Sequence, residues 1–338
     1  MFGLAAQSST VLALVSALIS PALAADPYVS SINNIFAFGD SWTSNGYNPS
    51  NDLRKVDVYN TTSGGQVWIQ YLANNYTSAE NSLYDFAQIG ATIDNNLVFS
   101  NPATDFDHQV GLFENYFANS SRPEAIKWKA NDTLFAIWFG NDDLYNCFTN
   151  NRSFTDLVPQ LLTSYDRAFA RLYNNGARNF VILSLPELSA TPLALSSQTA
   201  ISTLAPSVSA WNSQLYDYVS HLSTKYQDAN VTWYDTQALT QRVLDDPKSF
   251  PFTNLNTSCK AYSSLVNQPD ADDSSCNGSL EQFLWKNNWN PTFTFHQILA
   301  TSIAIELEEQ ETPTPISSAS RTSIPYHIAF VVLLYLTL

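Results

Sequence analysis

The sequence predicts an α/β domain, with a mostly parallel sheet carrying helices on both faces. Three observations point there. Short, almost wholly apolar runs recur along the chain, and each stops at a turn. Such runs suit strands buried on both faces. Helix-periodic segments lie between them, and strands alternating with helices build a parallel sheet covered on both sides.

Taken in order, Ile35–Phe38 in "NNIFAFGDS" is the first apolar run and stops at Gly39. "VWIQYLANNY" follows with helical spacing. "SLYDFAQIG" is the second run and stops at Gly90. "DTLFAIWFG" is the clearest and stops at Gly140. In "TDLVPQLLTSYDRAFARLYNNG", Leu157, Leu161, Tyr165, Phe169 and Leu172 recur three and four residues apart, and Gly176 supplies the stop. "RNFVILSLP" reads as a strand, "LAPSVSAWNSQLYDYVSHLSTKY" as a helix and "NVTWYDT" as a further strand. No internal repeat occurs, and one domain over residues 31–308 accommodates everything.

The chain has 338 residues, 45% of them apolar, enough for one sizeable core. Its formal net charge is −15, and it has no Lys/Arg-rich run. Nucleic acid is therefore not an expected partner. Residues 1–24 carry no charged side chain, enclose the apolar "STVLALVSALI" and end in "ALA", which reads as a secretory signal peptide. Export predicts glycans. Asn60, Asn75, Asn119, Asn131, Asn151, Asn230, Asn256 and Asn277 all begin N-x-Ser/Thr sequons. Residues 309–338 start as a Pro/Ser-rich linker. They end in the apolar run Ile328–Leu338, too short for a membrane span, which needs about 20 residues. Small residues at Ser317, Ser318, Ala319 and Ser320 precede a short spacer and that tail, the layout of a GPI-anchor signal. Any membrane association is expected through that anchor.

Cys147, Cys259 and Cys276 are the only cysteines. An oxidising compartment favours pairing. Cys259 and Cys276 bracket a polar stretch that needs a staple, so they are paired here and Cys147 is left as a buried thiol. No Cys or Cys/His spacing suggests a metal site, and no cofactor is expected.

The segments after the strands carry the chemistry. Gly39-Asp40-Ser41 follows the first, Gly90-Ala91-Thr92 the second, and Gly140-Asn141-Asp142-Asp143 the third. In parallel sheets, sites form at the carboxyl ends of strands. Ser41 on a tight turn is a candidate nucleophile, and backbone N–H groups at such turns are candidate oxyanion donors.

With "FAFGDSWTSNGY", "AQIGATIDN", "LFAIWFGNDDL" and "LWKNNWNPTFTFH" in this order, the chain resembles the SGNH, or GDSL, ester hydrolases over about residues 33–305. Within them it is similar to secreted fungal-type esterases that remove acetyl groups from carbohydrates. The resemblance implies a flavodoxin-like three-layer α/β/α sandwich with a five-stranded sheet and Ser41 as nucleophile. It implies an oxyanion hole from Ser41, Gly90 and an Asn of the third block. The family's last block is Asp-x-x-His-Pro-Thr. Counted back from Pro291, its His falls on Asn290 and its Asp on Asn287. In the third block, ungapped counting puts Asp142 at the oxyanion Asn, whereas a one-residue deletion puts Asn141 there.

No other histidine is expected to substitute. His296, six residues beyond Asn290, would lie roughly 9 Å on and 240° around a helix. His108 and His221 sit in helical stretches, and His327 in the tail. In another serine hydrolase, losing the His alone costs on the order of 10⁶ in rate, or about 8 kcal/mol. An ionised Asp142 about 3 Å from a developing oxyanion would add a repulsion of roughly 5 kcal/mol at an effective dielectric of 20. Trp42, Trp285 and Trp289 are read as packing before sugar-stacking platforms. Two functions are weighed. The first is an ester hydrolase of acylated saccharides with impaired or lost activity. The second is a non-catalytic carbohydrate-binding or surface-coat glycoprotein. Either is expected to be monomeric, with a carbohydrate or acylated saccharide as its partner.

Overall fold

The computed structural model describes residues 28–53, 58–100, 104–118 and 126–311. The signal peptide, Asn119, His327 and the anchor segment from residue 312 onward lie outside them. Five strands, β1 (Asn34–Gly39), β2 (Leu83–Asp85), β3 (Thr133–Trp138), β4 (Asn179–Leu183) and β5 (Asn230–Tyr234), form one sheet in the order β2-β1-β3-β4-β5. Every neighbouring pair is parallel. The apolar runs become strands because both faces are covered. Ile35, Phe36, Ala37 and Phe38 of β1 are all fully buried, as are Phe135, Ala136 and Ile137 of β3.

The covering helices are α1 (Trp68–Tyr76), α2 (Phe106–Phe113), α3 (Asn141–Thr149), α4 (Val158–Asn174), α5 (Pro192–Leu195), α6 (Gln198–Lys225), α7 (Thr236–Asp245) and α8 (Phe293–Glu311). α1 packs on α8, while α2, α4 and α6 contact one another in series, giving the three-layer α/β/α arrangement. The periodic stripe of α4 is buried as its spacing requires, at Leu161, Tyr165, Phe169 and Leu172. The chain then turns at Gly176 with φ +102°, a backbone conformation that costs glycine little.

β1 leads to β2 on one side of the sheet, and β3 returns to pair on the other side of β1. The strand order therefore reverses between β1 and β3, and a crevice opens beyond their carboxyl ends. Ser41 follows β1 there, and Asp142 opens α3 after β3. Cys259 and Cys276 are bonded, S–S 2.04 Å, and close a loop that packs around a small separate core of Tyr262, Leu280, Phe283 and Phe293. Cys147 is a buried free thiol.

Candidate active site

A cleft of about 670 Å³ lies over these strand ends. Ser41, Gly90, Asp142, Asn287 and Asn290 all line it, though they come from four separate stretches of sequence. Three devices aim the Ser41 turn. The Gln109 side chain of α2 both accepts from the Gly39 N–H (2.9 Å) and donates to its carbonyl (2.8 Å). Asp40 accepts from the N–H of Trp42 at 3.1 Å. Its other oxygen accepts from the N–H groups of Asn141 (3.1 Å) and Asp142 (3.3 Å), the free donors of the first turn of α3. That contact ties the end of β1 to the start of α3 and fixes Ser41 opposite Asp142.

Asn141 and Asp142 are thereby told apart. The Asn141 amide turns inward to Asp40, at 3.3 Å from Oδ2. Asp142 faces the cleft. Its Oδ1 accepts the Ser41 hydroxyl at 3.0 Å, and its Oδ2 accepts the N–H groups of Gly90 at 2.8 Å and Ser41 at 3.3 Å. The carboxylate thus does more than repel an anion from nearby. It also occupies both main-chain N–H groups that the resemblance assigns to the oxyanion. Gly90 can aim its N–H there because it holds φ +85°.

Asn290 lies on the other side of the serine, and its amide donates to Ser41 Oγ at 3.2 Å. The orientation of that amide is set from behind. Asn287 Oδ1 accepts the N–H groups of Trp289 (2.8 Å) and Asn290 (2.7 Å), so its nitrogen must face Asn290 Oδ1, at 3.2 Å. Asn290 then has only its nitrogen left for Ser41. Every donor runs the same way, from Asn287 through Asn290 and Ser41 to Asp142.

Burial pushes the Asp142 carboxyl up to about 6, against the pull of the Ser41 hydroxyl and the two main-chain N–H groups. Burial, followed by the Asp142 charge, holds Asp40 well above the usual carboxylate range. Asp143 is also raised well above it by burial, although both its oxygens accept the Ile93 N–H at 3.1 Å.

None of the described histidines lines the cleft. Asn290 precedes α8, so it and His296 do not share a helix and the rotation estimate does not apply. His296 is instead fully buried, with its ring 6.5 Å from that of Trp42, and burial drives its pKa down to about 3. His108 and His221 are exposed on α2 and α6. Trp42, Trp285 and Trp289 are all buried in the core, and Trp289 also borders the cleft with its ring 5.1 Å from that of Tyr145. Sequence reading missed Tyr145, Leu193, Lys260 and Ser263 of the cleft wall. Lys260 and Ser263 come from the disulfide loop, which has no periodicity to reveal where it packs. Among the described residues no His/Cys/Asp/Glu group could hold a metal ion.

A sheet in this order, with a Gly-Asp-Ser turn beyond its first strand, defines a class of serine ester hydrolases. The family model "GDSL-like Lipase/Acylhydrolase" matches residues 35–301, and the chain belongs to this family. It is 26% identical to an acetylesterase of Thermothelomyces thermophilus, over 81% of this chain and 88% of that one. It is 24% identical to an acetylesterase of Hypocrea jecorina, over 80% and 86%. A thermolabile hemolysin of Vibrio parahaemolyticus is 28% identical over 80% of this chain and 62% of its own length. Phospholipase A1 from Streptomyces albidoflavus NA297 superposes over 82% of this chain and 99% of its own, with 14% identity and a TM-score of 0.43.

Proposed function

We propose that this protein is an exported member of the family whose cleft takes acylated saccharides and whose ester hydrolysis at Ser41 is strongly impaired. The observation that carries the reading is the setting of Ser41, held between the Asp142 carboxylate and the Asn290 amide, with no imidazole among the described residues that line the cleft. Two main-chain donors are spent on Asp142, and in another serine hydrolase the loss of one oxyanion donor costs about 10²–10³ in rate. The names of the two fungal relatives support an acetyl ester as substrate. The Trp289–Tyr145 pair, in a cleft whose other walls carry several Ser and Asn side chains, supports a sugar as its bearer.

A second reading, a surface glycoprotein that binds carbohydrate without turnover, is favoured by the same carboxylate, because it fills the donors completely. Titration of the Ser41→Ala variant with acetylated cellobiose tests the cleft, and failure to bind would sink both readings. Hydrolysis of p-nitrophenyl acetate, corrected with that variant, separates them.

Export, N-glycans and a GPI anchor complete the proposal, with the domain running over residues 31–308. Six of the sequon asparagines, Asn60, Asn75, Asn131, Asn151, Asn256 and Asn277, are exposed, as glycan transfer requires; Asn230 is half-buried at the start of β5. No helix of the described residues is long and apolar enough to cross a membrane. Phosphatidylinositol-specific phospholipase C should release the mature protein from membranes. Recovery of peptides from residues 328–338 in the mature chain would rule the anchor out.

A further inference from the structure

Resting on the ester-hydrolase reading of the cleft, we propose that Asp142 is the general base of Ser41 and that Asn290 is its oxyanion donor. The base and the donor have then exchanged sides of the serine.

The geometry points there in three ways. First, the Ser41 proton already lies on the hydrogen bond to Asp142 Oδ1, at 3.0 Å, within the reach a general base needs. Second, Asn290 donates to Ser41 Oγ at 3.2 Å. In a tetrahedral adduct Oγ and the oxyanion share one carbon, so a donor that reaches the first reaches the second after a small rotation. Third, Asp142 is the only carboxylate among the described residues that line the cleft, and none of those residues is a histidine.

Charge balance favours the exchange as well. If an ionised Asp142 merely filled the hole, the reaction would set two anions side by side. If Asp142 takes the serine proton, it becomes neutral as the oxyanion forms, and the net charge of the site never exceeds −1. The upward push of burial on its carboxyl suits this role, since a base works best when its pKa lies near the working pH.

The steps close. Ser41 Oγ attacks the ester carbonyl carbon while its proton passes to Asp142 Oδ1, and the carbonyl oxygen becomes an oxyanion facing Asn290. The oxyanion collapses, the C–O bond to the sugar breaks, and the leaving oxygen takes the proton from Asp142. Water then loses a proton to Asp142 as it attacks the acyl-serine carbon. The second oxyanion collapses, the C–Oγ bond breaks, Ser41 Oγ takes the proton back from Asp142, and the carboxylic acid leaves. Turnover is slow because the Gly90 and Ser41 N–H groups stay on Asp142 Oδ2.

The test is Ser41-dependent hydrolysis of p-nitrophenyl acetate by the purified glycoprotein, with Ser41→Ala as background. Asp142→Asn should lower kcat/KM by about 10²-fold or more, and Asn290→Ala by at least about tenfold. The wild-type rate should climb between about pH 4.5 and about pH 7.5, across the range in which Asp142 ionises. Asp40 and Asp143 are the carboxylates nearest Asp142, Tyr145 and Lys260 share its cleft, and of these titratable groups only Asp142 is bonded to the serine hydroxyl. An Asp142→Asn protein that is as fast as wild type or faster overturns the assignment. So does a wild type with no Ser41-dependent turnover, even where acetylated cellobiose still binds. Should Asp142→Asn fail to melt cooperatively, the pH profile decides, and a flat one rejects Asp142 as base.

Discussion

The Ser41 hydroxyl points at Asp142, 3.0 Å away, and turns its lone pair to Asn290. In a Ser–His–Asp site the hydroxyl proton faces the imidazole, which a buried carboxylate supports from behind. Here the polarity is reversed along the whole chain of side chains, because Asn287 is committed to two main-chain N–H groups and cannot turn its oxygen outward. Successive donors that run one way polarise one another, so the arrangement is self-consistent. Changing a single residue reverses only part of it.

Position 142 should therefore change sign with its background. In the wild type, Asp142→Asn removes the base and lowers the rate. In an Asn290→His/Asn287→Asp protein, an imidazole is present to take the proton, and the same substitution frees the Gly90 and Ser41 N–H groups. There it should raise kcat/KM by about 10²-fold, the cost typical of one lost oxyanion donor. The triple variant should be the fastest of the set. Equal effects of Asp142→Asn in both backgrounds would show that the two positions do not communicate through Ser41.

Most of the layout was legible from residues alone. The five strand-like runs are five parallel strands. β1, β3 and β4, buried on both faces, leave a continuous apolar record, whereas the edge strand β5 is only partly buried. Ser41 and Gly90 stand out at the turns after strands, Asn287 and Asn290 only through the resemblance to the family's last block, and all four line one cleft. What spacing could not decide was Asn141 against Asp142, since adjacent residues at a helix start differ by only about 100° in direction. Asp40 decides it by claiming the Asn141 amide. Gln109 was also invisible. It is one polar residue in an amphipathic helix until Gly39 is seen against it.

The disulfide should stabilise both the fold and the cleft. Cys259 and Cys276 are 17 residues apart, and a bridge over such a loop contributes about 3 kcal/mol in the chain-entropy model. Cys276→Ser should lower the unfolding free energy by that order in denaturant titration. It should also weaken saccharide binding, because Lys260 and Ser263 stand on the same loop. Peptide mapping that joins Cys147 to either partner would refute the pairing.

Gln109→Leu should be more harmful than its conservative size suggests. Gln109 is fully buried, and both ends of its amide are bonded to Gly39. Leucine leaves the buried Gly39 N–H without its partner, at a cost of about 1–3 kcal/mol, while the Gly39 carbonyl keeps only the Gln88 N–H at 3.1 Å. A melting temperature within a degree or two of wild type would mean that the Ser41 turn is held by Asp40 alone.

Asp142 should also leave a mark on stability against pH. Its carboxyl titrates at about 6 when folded, against an ordinary value of 3.8, so the native state binds the proton more tightly than the unfolded chain. Stability gained from that proton is full below the unfolded value. It is lost progressively as pH rises from 3.8 to about 6, and is then constant. At roughly 1.4 kcal/mol per pKa unit, the loss is on the order of 2–3 kcal/mol. Asp40, Asp85 and Asp143, all raised mainly by burial, act in the same direction, so the wild-type slope alone does not isolate Asp142. The difference between wild type and Asp142→Asn does. The variant should gain on the wild type as pH rises across this window and run parallel to it above about pH 7. If the two curves stay parallel from about pH 4 upward, Asp142 is ionised throughout and its carboxyl is not raised.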